Sequence, residues 1–205
     1  MPVFLRDNFK VLFIHIPKTG GTSVEKTFLA SGWDISYHHA HGSGPISIQE
    51  TRTCSPQHYH AEILELLFRA EKFELVFTIT RHPVARFISE YTRQTLRQNT
   101  YDPTPAAIIN WGENKFKQYQ TNPFLLDNHI RPQSEFLLPN TVCLKLEDGL
   151  DHAFNLLDKK YQLRVDNLRK HANRSAIDID PVQIDSSVEK MIEEFYSEDF
   201  INLGY

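Results

Sequence analysis

The 205-residue chain has few cysteines, no long apolar run and no excess of positive charge. Its two cysteines, Cys54 and Cys143, lie far apart, which favours a reduced cytoplasmic protein, with a single disulfide as the alternative. No stretch reaches the roughly 18 apolar residues of a membrane-spanning helix, and we expect no signal peptide because no basic region precedes an apolar one at the start. The net charge of −4 argues against nucleic acid as a partner, so any anion site must be built locally.

What the chain does have is the composition of one α/β domain, residues 1–205, with 40% hydrophobic and 23% charged residues. Strands are predicted over 11–16, 74–80 and 141–146, with a short one within 34–39. Helices are predicted over 24–30, 61–70, 105–119 and 150–159, from Pro83 onwards, and from Ser186, where Glu189 completes a capping box. Strands that alternate with helices predict a mostly parallel sheet flanked by helices.

The most informative stretch runs from the end of the first strand into the first helix. Glycines let the backbone approach an anion, and the free N–H groups and dipole of a helix start favour negative charge. The lysine precedes the glycines, unlike in the Walker order G-x-x-x-x-G-K-[ST], so an ordinary Gly-Gly turn is the alternative. The expected anion ligands are Lys18, Thr19, Gly20, Gly21, Thr22 and Ser23.

The predicted strand at 74–80 leads directly into a helix, and Arg81 places a cation at this junction. The apolar face of this helix is predicted from residues at i, i+3, i+4 and i+7, which are Val84, Phe87, Ile88 and Tyr91. Another side carries Arg86, Ser89 and Arg93, and the two arginines either add to a phosphate site or face water.

These two stretches resemble the two cofactor signatures of sulfotransferases that use 3′-phosphoadenosine 5′-phosphosulfate (PAPS). The run H-I-P-K-T-G-G-T-S at 15–23 is similar to the 5′-phosphosulfate loop, and Arg81 with Ser89 eight residues later has the spacing of the 3′-phosphate site. The likeness is to the carbohydrate branch, including the uronosyl 2-O-sulfotransferases and their bacterial relatives. It extends to Glu147-Asp148 and to the C-terminal run 195–205.

The resemblance implies a single-domain, P-loop NTPase-like sulfotransferase fold with PAPS as co-substrate at the carboxyl ends of the strands and with no metal. Lys18 would then stabilise the charge that grows on the leaving phosphate and the sulfuryl oxygens. The basic run 170–175 resembles the late loop that closes over the cofactor in related enzymes. It makes Arg174 and Ser175 candidates for the 3′-phosphate, with a solvated charge run as the alternative.

Sulfuryl transfer also needs a base for the acceptor hydroxyl. In the uronosyl 2-O-sulfotransferases a His-x-His pair lies about twenty residues before the phosphate-binding arginine, and its second histidine is the base. His60 lies 21 residues before Arg81, so the resemblance implies His60 as base with His58 assisting and His41 as the runner-up. A zinc site built from Cys54, His58, His60 and one of the histidines at 38, 39 or 41 is the alternative, although its spacing is not a standard one.

The expected acceptor is a hydroxyl on a carbohydrate or small metabolite, which His129 and Arg131 could contact unless they are simply solvated loop residues. Two other functions compete with this reading. A nucleotide-dependent kinase would need a lysine after the glycines and a carboxylate for Mg²⁺, and the loop lacks that lysine. A non-catalytic nucleotide-binding module would keep the cofactor site and lack the base.

Overall fold

A computed structural model describes residues 2–37, 53–165 and 180–205 of the chain. The strands are β1 (Val3–Arg6), β2 (Phe9–Ile14), β3 (Asp34–Ser36), β4 (Leu75–Thr80) and β5 (Val142–Lys145). The helices are α1 (Gly21–Ala30), α2 (Ala61–Leu67), α3 (Pro83–Arg97), α4 (Pro105–Thr121), the single turn α5 (Leu125–Asn128), α6 (Leu150–Tyr161), α7 (Ser186–Phe195) and α8 (Ser197–Leu203). Among these residues, no helix is long and apolar enough to cross a membrane.

The five strands form one sheet in the order β3-β1-β2-β4-β5. Strands β2, β4 and β5 run parallel, with Phe13 opposite Phe77, and Phe77 opposite Val142. Strand β1 is antiparallel to both β2 and β3, so the α/β class is confirmed and the sheet is mixed, with two parallel and two antiparallel pairings. The sequence prediction missed β1, which reaches β2 through a tight turn in which Asp7 has a φ of 53°.

The apolar run of β2 supplies both faces of the sheet, because successive strand side chains point to opposite sides. Phe13 packs in one buried cluster with residues of β1, α1, β4 and α6, among them Phe4, Phe28, Phe77 and Phe154. Leu12 and Ile14 pack in a second cluster on the other side, with Leu64 of α2 and Phe136. Two-sided burial explains why the strand shows a continuous apolar run instead of an alternating pattern.

The helices match the predicted positions closely, with differences at their ends. Helix α2 ends at Leu67 instead of residue 70, because Phe68 has an extended backbone. Helix α7 begins at Ser186, but the capping residue is Asp185, whose carboxylate accepts hydrogen bonds from the backbone N–H groups of Ser187 and Val188. The predicted Ser186–Glu189 capping box is therefore wrong by one residue at its start.

Candidate functional site

A cavity of about 940 Å³ lies where the parallel strands β2, β4 and β5 end. It is lined by the residues that follow each strand, which include Lys18 after β2, Arg81 after β4 and Leu146 after β5. Ligands in open parallel sheets bind at this edge, because the loops that leave the carboxyl ends of neighbouring strands meet there. The two stretches singled out in the sequence thus border the same space.

The glycines of the first loop are required by their surroundings. Gly20 caps helix α1 with a φ of 89°, which is a left-handed conformation that few other residues adopt. A Cβ on Gly21 would lie 2.1 Å from Nε2 of His15, so no side chain fits there. Both glycines line the cavity, and they leave its wall open to a close-fitting anion at the start of α1.

The remaining loop residues divide into two groups. Lys18, Thr22 and Ser23 line the cavity as predicted, and Lys18 has a left-handed φ of 70°. Burial lowers the pKa of Lys18. The negative charge of Glu90 opposes this shift, and the positive charges of Arg93 and Arg81 add to it. Thr19 is fully buried outside the cavity lining, and its hydroxyl donates to the carbonyl of Ile16 at 2.9 Å. Its side chain therefore supports the loop.

Arg81 and Ser89 both line the cavity. Nη1 of Arg81 donates to the Lys18 carbonyl at 3.2 Å, which joins the two stretches directly. The buried amide side chain of Gln133 accepts from the Arg81 backbone N–H at 3.0 Å and donates to the Arg81 carbonyl at 2.8 Å. The backbone of this arginine is thus fixed on both sides.

Helix α3 continues the cavity wall with Arg93, Gln94 and Arg97. Arg86 belongs to neither of the two predicted environments, because it is buried and bonded to backbone carbonyls. Its Nε donates to Pro17 at 3.0 Å, and its Nη2 donates to His129 at 3.1 Å and to Arg131 at 2.9 Å. This guanidinium ties the first loop to the segment after α5.

Three buried histidines line the cavity, and each has its Nδ1 2.7 Å from a carboxylate oxygen. The pairs are His15 with Glu25, His58 with Asp127, and His129 with Glu90. The ring centroid of His58 lies 5.2 Å from that of His15 and 5.0 Å from that of His129. Such carboxylates fix the orientation and tautomer of a histidine, which leaves its second nitrogen for other partners.

Burial and hydrogen bonding set the charge states of the His58–Asp127 and His129–Glu90 pairs. Burial lowers the pKa of His58 to about 3 against the opposing hydrogen bond with Asp127, and it lowers the pKa of His129 against the hydrogen bond with Glu90. Burial alone would raise the pKa of Asp127, but the hydrogen bonds and charge interactions with His58 and Ser55 together outweigh burial, and the net pKa is lowered. Near neutral pH the imidazoles of His58 and His129 are therefore uncharged and the Asp127 carboxylate is ionised, so that one nitrogen of each ring carries no proton.

The structure separates the two histidines of the His-x-His pair at 58–60. His58 lines the cavity, whereas His60 is buried outside its lining and packs edge-on against Phe124 at a centroid distance of 5.5 Å. Nε2 of His60 lies 3.5 Å from a carboxylate oxygen of Glu62, and its Nδ1 has no hydrogen-bond partner among the described residues. The predicted base, His60, therefore does not share the cavity with Lys18, whereas the residue predicted to assist it, His58, does.

The two residues predicted to contact substrate also differ in position. His129 lines the cavity. Arg131 is buried outside it, donating to Oδ1 of Asn128 at 3.1 Å, to the Pro123 carbonyl at 3.1 Å and to Glu135. Arg131 is neither solvated nor open to a ligand in the cavity.

The sequence reasoning missed the carboxylates that partner the cavity histidines, Glu25, Glu90 and Asp127. Asp127 lies 69 residues from His58 and Glu90 lies 39 residues from His129, so no local spacing indicates either pair. Only Glu25, ten residues after His15, follows its histidine within one strand–helix unit. His41, Arg174 and Ser175, as well as the histidines at 38 and 39, lie outside the described residues.

One group within the described part of the chain has metal-ligating atoms within 4.8 Å of one another, namely His58, Asp127 and His129. It does not contain Cys54 or His60, which the alternative zinc site requires. Nη2 of Arg93 lies 3.3 Å from Nδ1 of His129, and the positive charge of this guanidinium would repel a metal ion bound beside it. Burial also raises the pKa of the Cys54 thiol to about 11, which disfavours the thiolate that zinc binds.

Comparison with known proteins identifies a family. No curated protein and no solved structure shows a significant match to the chain. A model of the sulfotransferase family matches residues 1–205, which include both cavity-lining stretches and the whole sheet. The chain therefore belongs to the sulfotransferase family.

Proposed function

We propose that this sulfotransferase moves a sulfuryl group from PAPS to a hydroxyl of a carbohydrate acceptor. The observation that carries the proposal is the shared cavity, which is lined by the Lys18 loop and by the Arg81–Ser89 pair. Two anion sites in one cavity would suit a nucleotide with phosphates at both its 5′ and 3′ positions. The carbohydrate acceptor rests on the resemblance of the two sequence stretches to that branch of the family.

The first loop would hold the 5′-phosphosulfate end. Gly20 and Gly21 line the cavity at the start of α1, where the N–H groups and dipole of a helix favour an anion. PAPS supplies an activated sulfuryl group on its 5′-phosphate. Lys18 places a cation beside the bond that breaks, where stabilisation of developing charge accelerates transfer. Arg81 and Ser89 would hold the 3′-phosphate, and the fixed Arg81 backbone preorganises that grip.

We assign the base to His58 in place of His60. His58 lines the cavity with Lys18, and it is uncharged at neutral pH, as a base must be before it accepts a proton. His60 lies outside the cavity lining against Phe124, so a base role would require it to move into the cavity.

Thermal unfolding with 3′-phosphoadenosine 5′-phosphate tests the cofactor proposal. A ligand that binds only the native state stabilises it, by about 2.7 kcal/mol at a concentration 100 times Kd. We expect a rise in Tm that is reduced by Lys18→Ala and by Arg81→Ala. Lys26→Ala is the matched control, because Lys26 is exposed on the same helix unit and does not line the cavity. If ATP with Mg²⁺ raises Tm and 3′-phosphoadenosine 5′-phosphate does not, the kinase alternative replaces this proposal.

Transfer is tested with sulfur-labelled PAPS and a panel of polysaccharides, oligosaccharides and small hydroxyl compounds. Label in a carbohydrate product, absent with Lys18→Ala, is the expected result. Label that enters only phenols or other non-carbohydrate acceptors would leave the sulfuryl-transfer proposal standing and overturn the acceptor class.

A further inference from the structure

The turn α5 has an unusual backbone. Three consecutive residues, Leu126, Asp127 and Asn128, have left-handed φ values of 51°, 59° and 65°, and none of them is a glycine. A run of this kind is unfavourable for residues with a Cβ and persists only where surrounding contacts hold it. The turn lies at the cavity, since Leu126 and Asp127 belong to its lining.

The contacts that hold the turn converge on the segment that carries His58. The Asp127 carboxylate accepts from the Ser55 backbone N–H at 2.6 Å, from the Ser55 hydroxyl at 2.7 Å and from Nδ1 of His58 at 2.7 Å. Nδ2 of Asn128 donates to the His58 carbonyl at 2.8 Å. The side chain and the backbone of His58 are thus both bonded to adjacent residues of one strained turn.

Arg131 holds the turn from its other side. It is buried, and its guanidinium donates to Oδ1 of Asn128 and to the Pro123 carbonyl, both at 3.1 Å. These bonds span the turn, from Pro123, two residues before α5, to Asn128, its last residue. Because the same Asn128 side chain donates to His58, Arg131 orients the amide that fixes the His58 backbone.

Nε2 of His58, the ring nitrogen that does not bond to Asp127, lies beside a hydrogen-bond donor. The amide nitrogen of Gln57, a cavity-lining residue, lies 3.2 Å from Nε2 of His58, and an amide N–H can only donate. Nε2 therefore carries the lone pair, and Nδ1 carries the hydrogen that is donated to Asp127. This is the tautomer a base needs if it is to accept a proton at Nε2 from a hydroxyl in the cavity.

We propose that Asp127 is a positioning residue for the sulfuryl-transfer step, with the left-handed turn as the device that aims its carboxylate at His58. The inference rests on the proposed role of His58 as base. In the step, the acceptor hydroxyl gives its proton to Nε2 of His58 while its oxygen forms the new bond to sulfur. The bond from sulfur to the 5′-phosphate oxygen breaks, and its electron pair leaves with the phosphate. Asp127 keeps the Nδ1 hydrogen and offsets the charge of the imidazolium.

The central test is Asp127→Asn, assayed for both transfer and binding of 3′-phosphoadenosine 5′-phosphate. We expect kcat to fall about 10²–10⁴-fold, the range for losing general-base catalysis or its correct tautomer, while the Tm rise caused by the ligand stays as in the unaltered protein. Asp34→Asn is the matched control, because Asp34 is exposed on β3 outside the cavity. Full activity of Asp127→Asn overturns the proposal, and so does loss of both activity and ligand binding, which marks a purely structural role.

A double-variant comparison then asks whether Asp127 acts through His58. In a His58→Ala background, Asp127→Asn should lower the residual rate by less than about twofold, because the group it positions is gone. A further drop as large as in the unaltered protein overturns the positioning role. If His58→Ala itself keeps full activity while ligand binding persists, the base assignment fails and the inference falls with it. If the ligand does not raise Tm even in the unaltered protein, the cofactor proposal fails instead.

Discussion

Two parts of the cavity lining, named the Lys18 end and the His58 end after one residue of each, are built in different ways. The Lys18 end is one continuous stretch, in which strand β2, the glycine loop and helix α1 follow one another within residues 9–30. The His58 end joins two distant segments, since His58 is brought together with Asp127 and His129 by contacts across about 70 residues of chain. The first end depends on local backbone geometry, whereas the second depends on contacts between segments that are far apart in the sequence.

The two ends also differ in how their backbone is stabilised. The glycine loop has two left-handed residues, Gly20, which adopts this conformation without a steric cost, and Lys18, whose φ of 70° carries one. The turn at 126–128 places three residues with side chains in the left-handed region, at roughly 1–2 kcal/mol each, which its hydrogen bonds must offset. The Lys18 end thus contains one left-handed residue with a side chain and the His58 end contains three, so the His58 end depends more on contacts with the rest of the fold.

The largest effect that would sharpen this comparison is expected at the Lys18 end. Lys18→Ala removes the cation beside the reacting group, and losses of such groups lower kcat by about 10²–10³-fold or more. Initial rates with labelled PAPS measure the change, with Lys26→Ala as the control. An unchanged rate would mean that the catalytic charge lies elsewhere in the cavity.

An effect of similar size separates the two histidines of one short segment. His58→Ala should lower kcat by about 10²–10⁴-fold, the usual contribution of a general base, while His60→Ala should keep kcat within a few fold because its ring packs against Phe124 outside the cavity. Loss of activity in His60→Ala with a normal Tm would reverse the assignment and restore the expectation drawn from the sequence resemblance.

A smaller effect tests the close packing of the loop. Gly21→Ala places a Cβ 2.1 Å from the His15 ring, so we expect a loss of about 1–3 kcal/mol in the free energy of unfolding and weaker binding of 3′-phosphoadenosine 5′-phosphate. The same substitution in a His15→Ala background is the control, because that background removes the ring that the new Cβ would meet. Equal losses in urea unfolding in the two backgrounds would show that the His15 contact is unimportant.

The smallest effect concerns pH and the paired groups of the His58 end. A buried neutral histidine with a lowered pKa stabilises the fold above its ordinary pKa of 6.5, and this contribution is lost as pH falls towards about 3 for His58. The lowered pKa of Asp127 acts in the same direction below its ordinary value of 3.8. The free energy of unfolding should therefore fall from pH 6.5 downwards, and less steeply in His58→Gln. Equal slopes for the two proteins would contradict the assigned charge states.

The contrast between the ends also explains how far the sequence could predict the structure. Residues whose role follows from a local pattern, such as Lys18, the two glycines and the β4–α3 junction at Arg81, lie at the cavity as expected. The choice between His58 and His60 could not be made from the sequence, because an alternating spacing does not say which ring faces inwards. Arg131 was expected at the substrate, and only the contacts of Asn128 and Pro123 reveal its support of the turn.

The buried guanidinium of Arg86 affects the electrostatic potential at the cavity. Its hydrogen bonds go to the carbonyls of Pro17, His129 and Arg131, and a guanidinium does not lose its proton in proteins. It therefore adds a permanent positive potential behind a cavity that already holds Lys18, Arg81, Arg93 and Arg97, on a chain whose net charge is −4. Such a focused field favours anions at the cavity, so the association rate of an anionic ligand should fall as ionic strength rises, although the net charge of the whole molecule repels anions.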